Sequence, residues 1–574
     1  MPRTAAGGNP PLRLGRSSTL PGTRGAIRRG SSCADTPMRL CYNRHMNSNG
    51  KYIYNGFYDF KKLREGDYIY VDKTKYLHRL VTDPEGGLYF VSRPRRFGKS
   101  LMISTLKYLF QGRRDLFKGT YIDTQTDYDW KKYPVIHLDF AAIDVTTREL
   151  FDERFSASVI DSLQESGFEH CSDTASPTTN LVRAIRALSG SGRGVVVLVD
   201  EYDAPIDHAL AHPEMAEYVR SRLAPFYATL KTMSDNIRFM MMTGVAKFTK
   251  LSVFSSMNNT ADITTDPDYA ALLGYTEEEL ETNFSEHMHR CADTMGMPYE
   301  AYRAELKRWF NGYRFTMAET KVYNPISIAY TLMSKKSTFD APWTKTGRPT
   351  MLATFLKTHD VMSLDFEKGI PATLDSLESS SELTNLTAKS ILYQTGYLTI
   401  VDVSQTSERI TLGFPDEEVR RDMYRFLTDI RAQNSTWCQE ALDNLSAGAL
   451  EPFLEALPSL YAGLPAHSKD GKLPESHYQG ILKVVMEAGG FKVICEQIQS
   501  SLKRSDLVVE TPEYCYIFEL KSDGKTTATD AVQQIIDCKY DAPHRGKGKP
   551  VFAVGLVFDP TEHTLSDTAW KQLC

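Results

Sequence analysis

The stretch from Leu88 to Phe110, LYFVSRPRRFGKSLMISTLKYLF, constrains the fold more than any other part of the chain. Leu88 to Val91 is a short apolar run that reads as a buried strand. Ser92-Arg93-Pro94 ends it, because proline has no N–H for a central ladder. Past Gly98-Lys99-Ser100, the residues Leu101, Ile103, Leu106, Tyr108, Leu109 and Phe110 give a helix an apolar side. Strand, tight loop, Gly-Lys-Ser and helix form the setting in which a GK[ST] tripeptide becomes a phosphate site. Loop N–H groups and the positive helix end hold anionic oxygens. Lys99 would reach the outer phosphates of ATP, and the Ser100 hydroxyl would ligate Mg²⁺. Arg93 stands where the full pattern G-x-x-x-x-G-K-[ST] has its first glycine. On its own, the tripeptide reads equally as an ordinary helix start.

A second element changes that balance. Val195-Val196-Val197-Leu198-Val199 is a strand that ends in Asp200-Glu201. Together the two halves are those of a P-loop ATPase, with Asp200 on the magnesium water shell and Glu201 polarising the attacking water. Thr243, at the end of the strand Ile237–Thr243, and nearby Lys247 stand where such an ATPase senses the γ-phosphate; a plain turn after a buried strand explains them as well.

At these residues the chain resembles the AAA-ATPase-like family, many members of which carry a C-terminal nuclease-like domain of the PD-(D/E)XK superfamily. The resemblance rests on Val71-Asp72-Lys73-Thr74, on Ser92 to Leu101 (SRPRRFGKSL) and on Asp200-Glu201-Tyr202-Asp203. It extends through Thr243 to Phe248, Phe254 to Asn259, Trp309 to Phe315, Tyr323 to Ile328 and Tyr393 to Ile400. It implies that SRPRRFGKS is the family's own phosphate loop, with Arg96, Gly98, Lys99, Ser100, Asp200 and Thr243 as nucleotide-binding residues. Arg95 and Arg96 are candidates for phosphate contact or plain surface arginines.

At 574 residues the chain exceeds one core. Strands alternating with helices from Tyr54 to about Tyr269 imply a parallel sheet covered on both faces. The expected fold class is α/β: a P-loop NTPase domain over 51–275, a mainly helical connector over 276–460 with a small winged-helix-like sheet, and a PD-(D/E)XK-like α/β domain over 461–574. Trp309, Phe310, Tyr313 and Phe315 read as core. Residues 1–50 hold eight arginines and one acidic residue, Asp35. Disorder is the default reading; a transit peptide and a true start at Met46 stay open. A net charge of −5 gives no global attraction to nucleic acid. Nine cysteines without a C-x-x-C pair fit a reducing, cytoplasmic setting. The apolar runs fall far short of the roughly 20 residues that cross a bilayer, so no membrane contact is expected.

The C-terminal segment carries a second constellation. Helix, three strands, helix and strand form the PD-(D/E)XK core order. Asp506 opens one strand, and Glu519-Leu520-Lys521 lies on the next. Side chains two apart share a strand face, so Glu519 and Lys521 sit together beside Asp506. Two carboxylates suit Mg²⁺, and Lys521 would orient the water. The resemblance adds Glu475 as a further carboxylate, together with Gln534, Lys539 and Tyr540. Arg504 matches the family, but Lys503 replaces its preceding glycine. The loop His544 to Lys549 is a candidate backbone contact for DNA or RNA, and a solvated loop is the commoner explanation. Three functional classes follow: an ATP-regulated Mg²⁺ nuclease, a nucleotide-dependent switch or scaffold whose nuclease-like domain only binds, and, last, a phosphotransferase. Self-association is expected only by analogy with other ATPases.

Overall fold

In the computed structural model the described residues lie between Met46 and Leu573, with gaps of which 248–259, 346–351, 357–365, 379–386, 463–474 and 499–503 are the longest. Residues 46–50, expected within the tail, are folded. The Ser48 N–H donates to Glu286 at 2.7 Å, and Arg290 donates to the Met46 carbonyl at 3.1 Å. The rest of the tail, the family stretch Phe254–Asn259 and Lys503 lie outside the described residues.

Five parallel strands form the first sheet: β1 (Leu88–Ser92), β2 (Val135–Asp139), β3 (Val195–Asp200), β4 (Ile237–Gly244) and β5 (Ala261–Asp262), in the order β2-β3-β4-β1-β5. β3 is buried along its whole length, which is why it reads as an unbroken apolar run. Helices α1 (Lys99–Phe110), α2 (Arg148–Glu165), α3 (Pro177–Ser189) and α4 (Pro213–Thr232) cover the sheet. Placing β4 between β1 and β3 sets the ends of all three side by side. Val199 pairs with Met242, so Asp200 comes next to Thr243.

Helix α5 (Glu277–Met295) starts with a capping box, Thr276 and Glu279 serving each other's backbone. Beyond it, β6 (Asn311–Tyr313) pairs with β7 (Val322–Tyr323). A three-stranded antiparallel sheet follows, β8 (Ile370–Thr373), β9 (Thr399–Val403) and β10 (Arg409–Gly413), in the order β8-β10-β9. This connector is not a separate lobe. Tyr313, Phe315, Trp343, Ile391 and Tyr397 belong to the same apolar core as the first sheet. The aromatic box is core, as its composition suggests, and divides its contacts: Trp309 and Phe310 pack under α5, while Tyr313 and Phe315 meet the Phe97 ring edge-on at 4.8 and 5.4 Å.

Helix α6 (Glu417–Ala432) leads to the C-terminal part through an Arg420–Glu487 ion pair. There α7 (Glu475–Ala488), β11 (Lys492–Ile498), β12 (Arg504–Glu510), β13 (Cys515–Lys521), α8 (Ala528–Asp537) and β14 (Val551–Phe558) follow the expected order. A further strand, β15 (Leu565–Gln572), closes the mixed sheet beside β14. Its residues are mostly exposed, so LSDTAWKQ shows no apolar alternation by which a strand could be recognised.

Gly396 adopts φ +87°, and a β-carbon there would lie 2.6 Å from Cγ of Pro94 in the phosphate loop. Gly119, at φ +80°, has nothing within 4 Å of that position. Gly119→Ala should therefore cost only the left-handed strain, about 1–2 kcal/mol. Gly396→Ala should cost that plus ~1–3 kcal/mol of overpacking. Chemical denaturation of the two variants checks this, and equal losses would show that the Gly396–Pro94 contact is not tight.

Candidate functional site

The first cluster is built where β1 gives way to α1. Gly98 takes φ +96°, which glycine adopts without a β-carbon clash, and nothing lies within 4 Å of where a β-carbon would sit. Lys99 follows as the first residue of α1, with Ser100 half-exposed beside it. The Lys99 ammonium is buried and donates to the carbonyls of Arg93 at 2.9 Å and Pro94 at 3.1 Å. Burial pulls its pKa down, while the Glu201, Asp200 and Asp203 carboxylates pull the other way.

Asp200 ends β3, and its Oδ1 accepts from the Thr243 hydroxyl at 2.6 Å and from the Glu201 N–H at 3.1 Å. Thr243 is thus brought to the cluster, with its hydroxyl committed to Asp200. Glu201 follows with φ +48° and Arg96 with φ +71°. Both are non-glycine residues in left-handed backbone, a strain that clusters at functional sites. Arg96 is drawn to the Tyr58 hydroxyl, and Arg95 pairs with Asp207 at 2.9 Å. Lys247 is turned onto Asp262 of β5 at 2.7 Å.

Asp203, quoted in the sequence motif without a role, does identifiable work. Its Oδ2 accepts from the Val245 and Ala246 N–H groups at 2.9 and 2.7 Å and so holds the chain leaving β4. Burial pushes its carboxyl up to about 7. The Asp72 and Lys73 motif is likewise structural. Asp72 accepts from the Thr74 and Tyr121 N–H groups, and Lys73 joins Glu279 to the Ala271 carbonyl. Beside Arg96, Phe97 and Gly98 opens a largely apolar cleft of about 80 Å³, lined by Tyr54, Tyr58, Leu101, Leu273, Tyr275 and Ile326 among others.

The second cluster lies on β12 and β13. Leu507 is paired with Phe518, so Asp506 and Glu519 come opposite each other. Asp506 shares a strand face with Val508, and Glu519 shares one with Ile517; both of these apolar residues belong to the core under α8. The carboxylates therefore project to the same side of the sheet. Phe518 and Leu520 point into the other core. Glu519 Oε1 accepts from Lys521 at 2.8 Å and from Gln534, while its buried Oε2 has no hydrogen-bond partner among the described residues. Asp506 Oδ2 accepts from the Leu520 N–H at 2.8 Å, and Glu475 Oε1 from the Ser522 N–H at 3.1 Å. Tyr540 is buried next to Gln534, whereas Lys539 is exposed. Burial, and then the Asp506 charge, raise the Glu519 carboxyl to about 7. The basic loop is largely engaged within the domain: His544 and Lys547 face Glu510, Arg545 pairs with Asp541, and Lys549 donates to the Thr511 carbonyl.

Residues 55–254 match the family described as predicted AAA-ATPase, and residues 473–568 match the PD-(D/E)XK nuclease superfamily. A curated relative, described as an uncharacterized protein in the vnfD 5′ region of Azotobacter chroococcum mcd 1, is 32% identical over 517 residues; the match covers 88% of this chain and 95% of the relative. The chain belongs to the AAA-ATPase-like family and carries a C-terminal domain of the PD-(D/E)XK superfamily. Among the described residues no helix is long and apolar enough to cross a membrane.

A carboxyl whose pKa is raised on folding stabilises the folded state below its unfolded value and loses that contribution as pH rises through the folded value. For Glu519 this window runs from about 4.5 to about 7. Glu519→Gln should therefore gain stability relative to the parent across that window, by ~1–3 kcal/mol at its upper end. Denaturant unfolding at a series of pH values measures the gap between the two proteins, and a gap that does not change with pH would refute the assignment.

Proposed function

We propose that the chain binds and hydrolyses ATP, and that this is coupled to Mg²⁺-dependent cleavage of DNA or RNA phosphodiesters by the C-terminal domain. The functional parts are 51–275 for the nucleotide, 276–460 as connector and 461–574 for cleavage. One observation carries the reading: Lys99, Asp200 and Glu201 meet at adjoining strand ends beside an open glycine cradle. The apolar cleft beside Gly98 gives the nucleoside a place next to the phosphates.

The residues fit both groups the reaction needs. The open position at Gly98 and the N-terminus of α1 suit phosphate. The partnerless Glu519 Oε2, buried beside Asp506, suits a cation. Bound Mg²⁺ supplies Lewis acidity and lowers the pKa of a coordinated water. Ser100 and Asp200 would hold it in the first cluster, and Asp506, Glu519 and Glu475 in the second. Lys99 exchanges loop carbonyls for the β- and γ-phosphate oxygens, with Gly98 and Arg96 lining the same loop. Glu201 accepts the proton of the attacking water as its oxygen bonds to the γ-phosphorus and the β–γ bridge breaks. Thr243 keeps Asp200 oriented through its hydroxyl. In the second cluster Lys521 orients the water that attacks the phosphodiester.

A second reading has its own support. Among the described residues no three His, Cys, Asp or Glu side chains are grouped to hold a metal, and Glu475 is turned onto the Ser522 amide. This favours a nucleotide-dependent switch whose nuclease-like domain binds without cleaving.

Purified protein separates the two readings. Lys99→Ala should abolish ATP binding. Glu201→Gln should bind ATP but hydrolyse it ~10²–10⁴-fold more slowly. Asp506→Ala should lose divalent-cation binding and cleavage together, and Lys521→Ala should keep the cation and slow cleavage. ATP binding unchanged in Lys99→Ala would sink the loop assignment. A parent protein that binds nucleic acid without cutting it, with Mg²⁺ or Mn²⁺, would establish the second reading.

A further inference from the structure

Arg93 replaces the glycine of the usual phosphate loop, and its side chain leaves that loop on the side away from the nucleotide cradle. It is 1% exposed. One terminal nitrogen donates to the carbonyls of Ser92 at 2.9 Å and Thr264 at 2.7 Å. The guanidinium carbon lies 4.4 Å from the centre of the Phe315 ring, which neutralises one face in part. Among the described residues the other terminal nitrogen and Nε have no acceptor. They border a small cavity that Lys247, Thr264, Phe315, Tyr393 and Gln394 also line.

Lys247, also buried, is 2.7 Å from Asp262, whose side chain is 35% exposed. Leaving N–H groups of a buried guanidinium unmet is strongly unfavourable. Burial accordingly lowers the Arg93 pKa to about 10. Two other polar groups of the cavity are engaged: the Gln394 Oε1 accepts from the Lys247 N–H at 3.0 Å, and the Tyr393 hydroxyl donates to the Phe315 carbonyl at 3.2 Å.

We propose that this cavity is a binding site for a monatomic anion of chloride size, held by the unpartnered Arg93 nitrogens. The free space is about 20 Å³, and a water-sized particle needs roughly 10–15 Å³ measured in this way. That room admits a particle of halide size. The location gives the site a consequence. The Arg93 carbonyl is one of the two that hold the Lys99 ammonium, so an anion that fixes Arg93 also fixes the back of the phosphate loop. Anion binding itself does not rest on the ATP reading.

The test uses the full-length chain at constant ionic strength, with chloride or bromide replacing gluconate. The parent should show a saturable rise in melting temperature of about 2–4 °C. Arg93→Gln should show none, and Lys247→Gln should need more halide to reach the same rise; the second variant serves if the first fails to fold. Crystals soaked in bromide should show anomalous density beside Arg93. Melting that follows ionic strength alone, or bromide-soaked crystals with no density at Arg93, would overturn the proposal and leave water as the occupant. If melting and crystal disagree, the density at Arg93 decides.

Discussion

The nucleotide half of the molecule depends on one buried ammonium. Lys99 is held by the carbonyls of Arg93 and Pro94, so its position is set by the path of the loop, and that path is fixed from behind. Gly396 packs against Pro94, Trp343 Nε1 donates to the Arg95 carbonyl at 3.2 Å, and Tyr313 and Phe315 enclose Phe97. All four supporting residues come from the connector, more than 200 positions along the chain. The connector is thus the rear wall of the phosphate loop. A loop braced on a close-packed wall cannot shift without repacking that wall, and the helix that follows the connector sheet is joined to helix α7 by the Arg420–Glu487 pair.

The C-terminal cluster is governed by a different constraint, the placing of carboxylates side by side in a partly dry site. Glu519 is buried and faces the Asp506 charge, and Lys521 and Gln534 satisfy only one of its two oxygens. Such an arrangement favours a protonated carboxyl or a bound cation and is poor as a purely structural pair. An ion pair kept for stability alone would show both oxygens satisfied.

Much of this was legible in the sequence because strands buried on both faces write themselves as apolar runs. β1, β3 and β4 lie within a residue or two of the positions read from Leu88–Val91, Val195–Val199 and Ile237–Thr243, and the C-terminal core follows the order read for it. The parity of Glu519 and Lys521 about Leu520 follows from strand geometry and needs no tertiary information. What stayed hidden depends on distant partners. β15 is exposed on both faces and carries no period. The role of Asp203 appears only when the chain after β4 folds over it. Lys247 looked like a γ-phosphate sensor until β5, two exposed residues long, supplied Asp262. The aromatic residues of Trp309–Phe315 read correctly as core, but nothing local tells that Phe315 stacks on a guanidinium from the phosphate loop.

The same reasoning bears on how a chain of net charge −5 would meet a polyanion. The basic run from His544 to Lys549 looks like the natural contact, yet Lys547 and His544 face Glu510, Arg545 is tied to Asp541, and Lys549 is held by the Thr511 carbonyl. Those charges brace the turn between β12 and β13 and the segment leading to β14. Lys539 differs. It is exposed, it adopts φ +56°, and it follows the helix that carries Gln534 toward Glu519. Among the described residues no ion pair ties Lys539 down, in contrast to Arg545 and Lys547 of the loop.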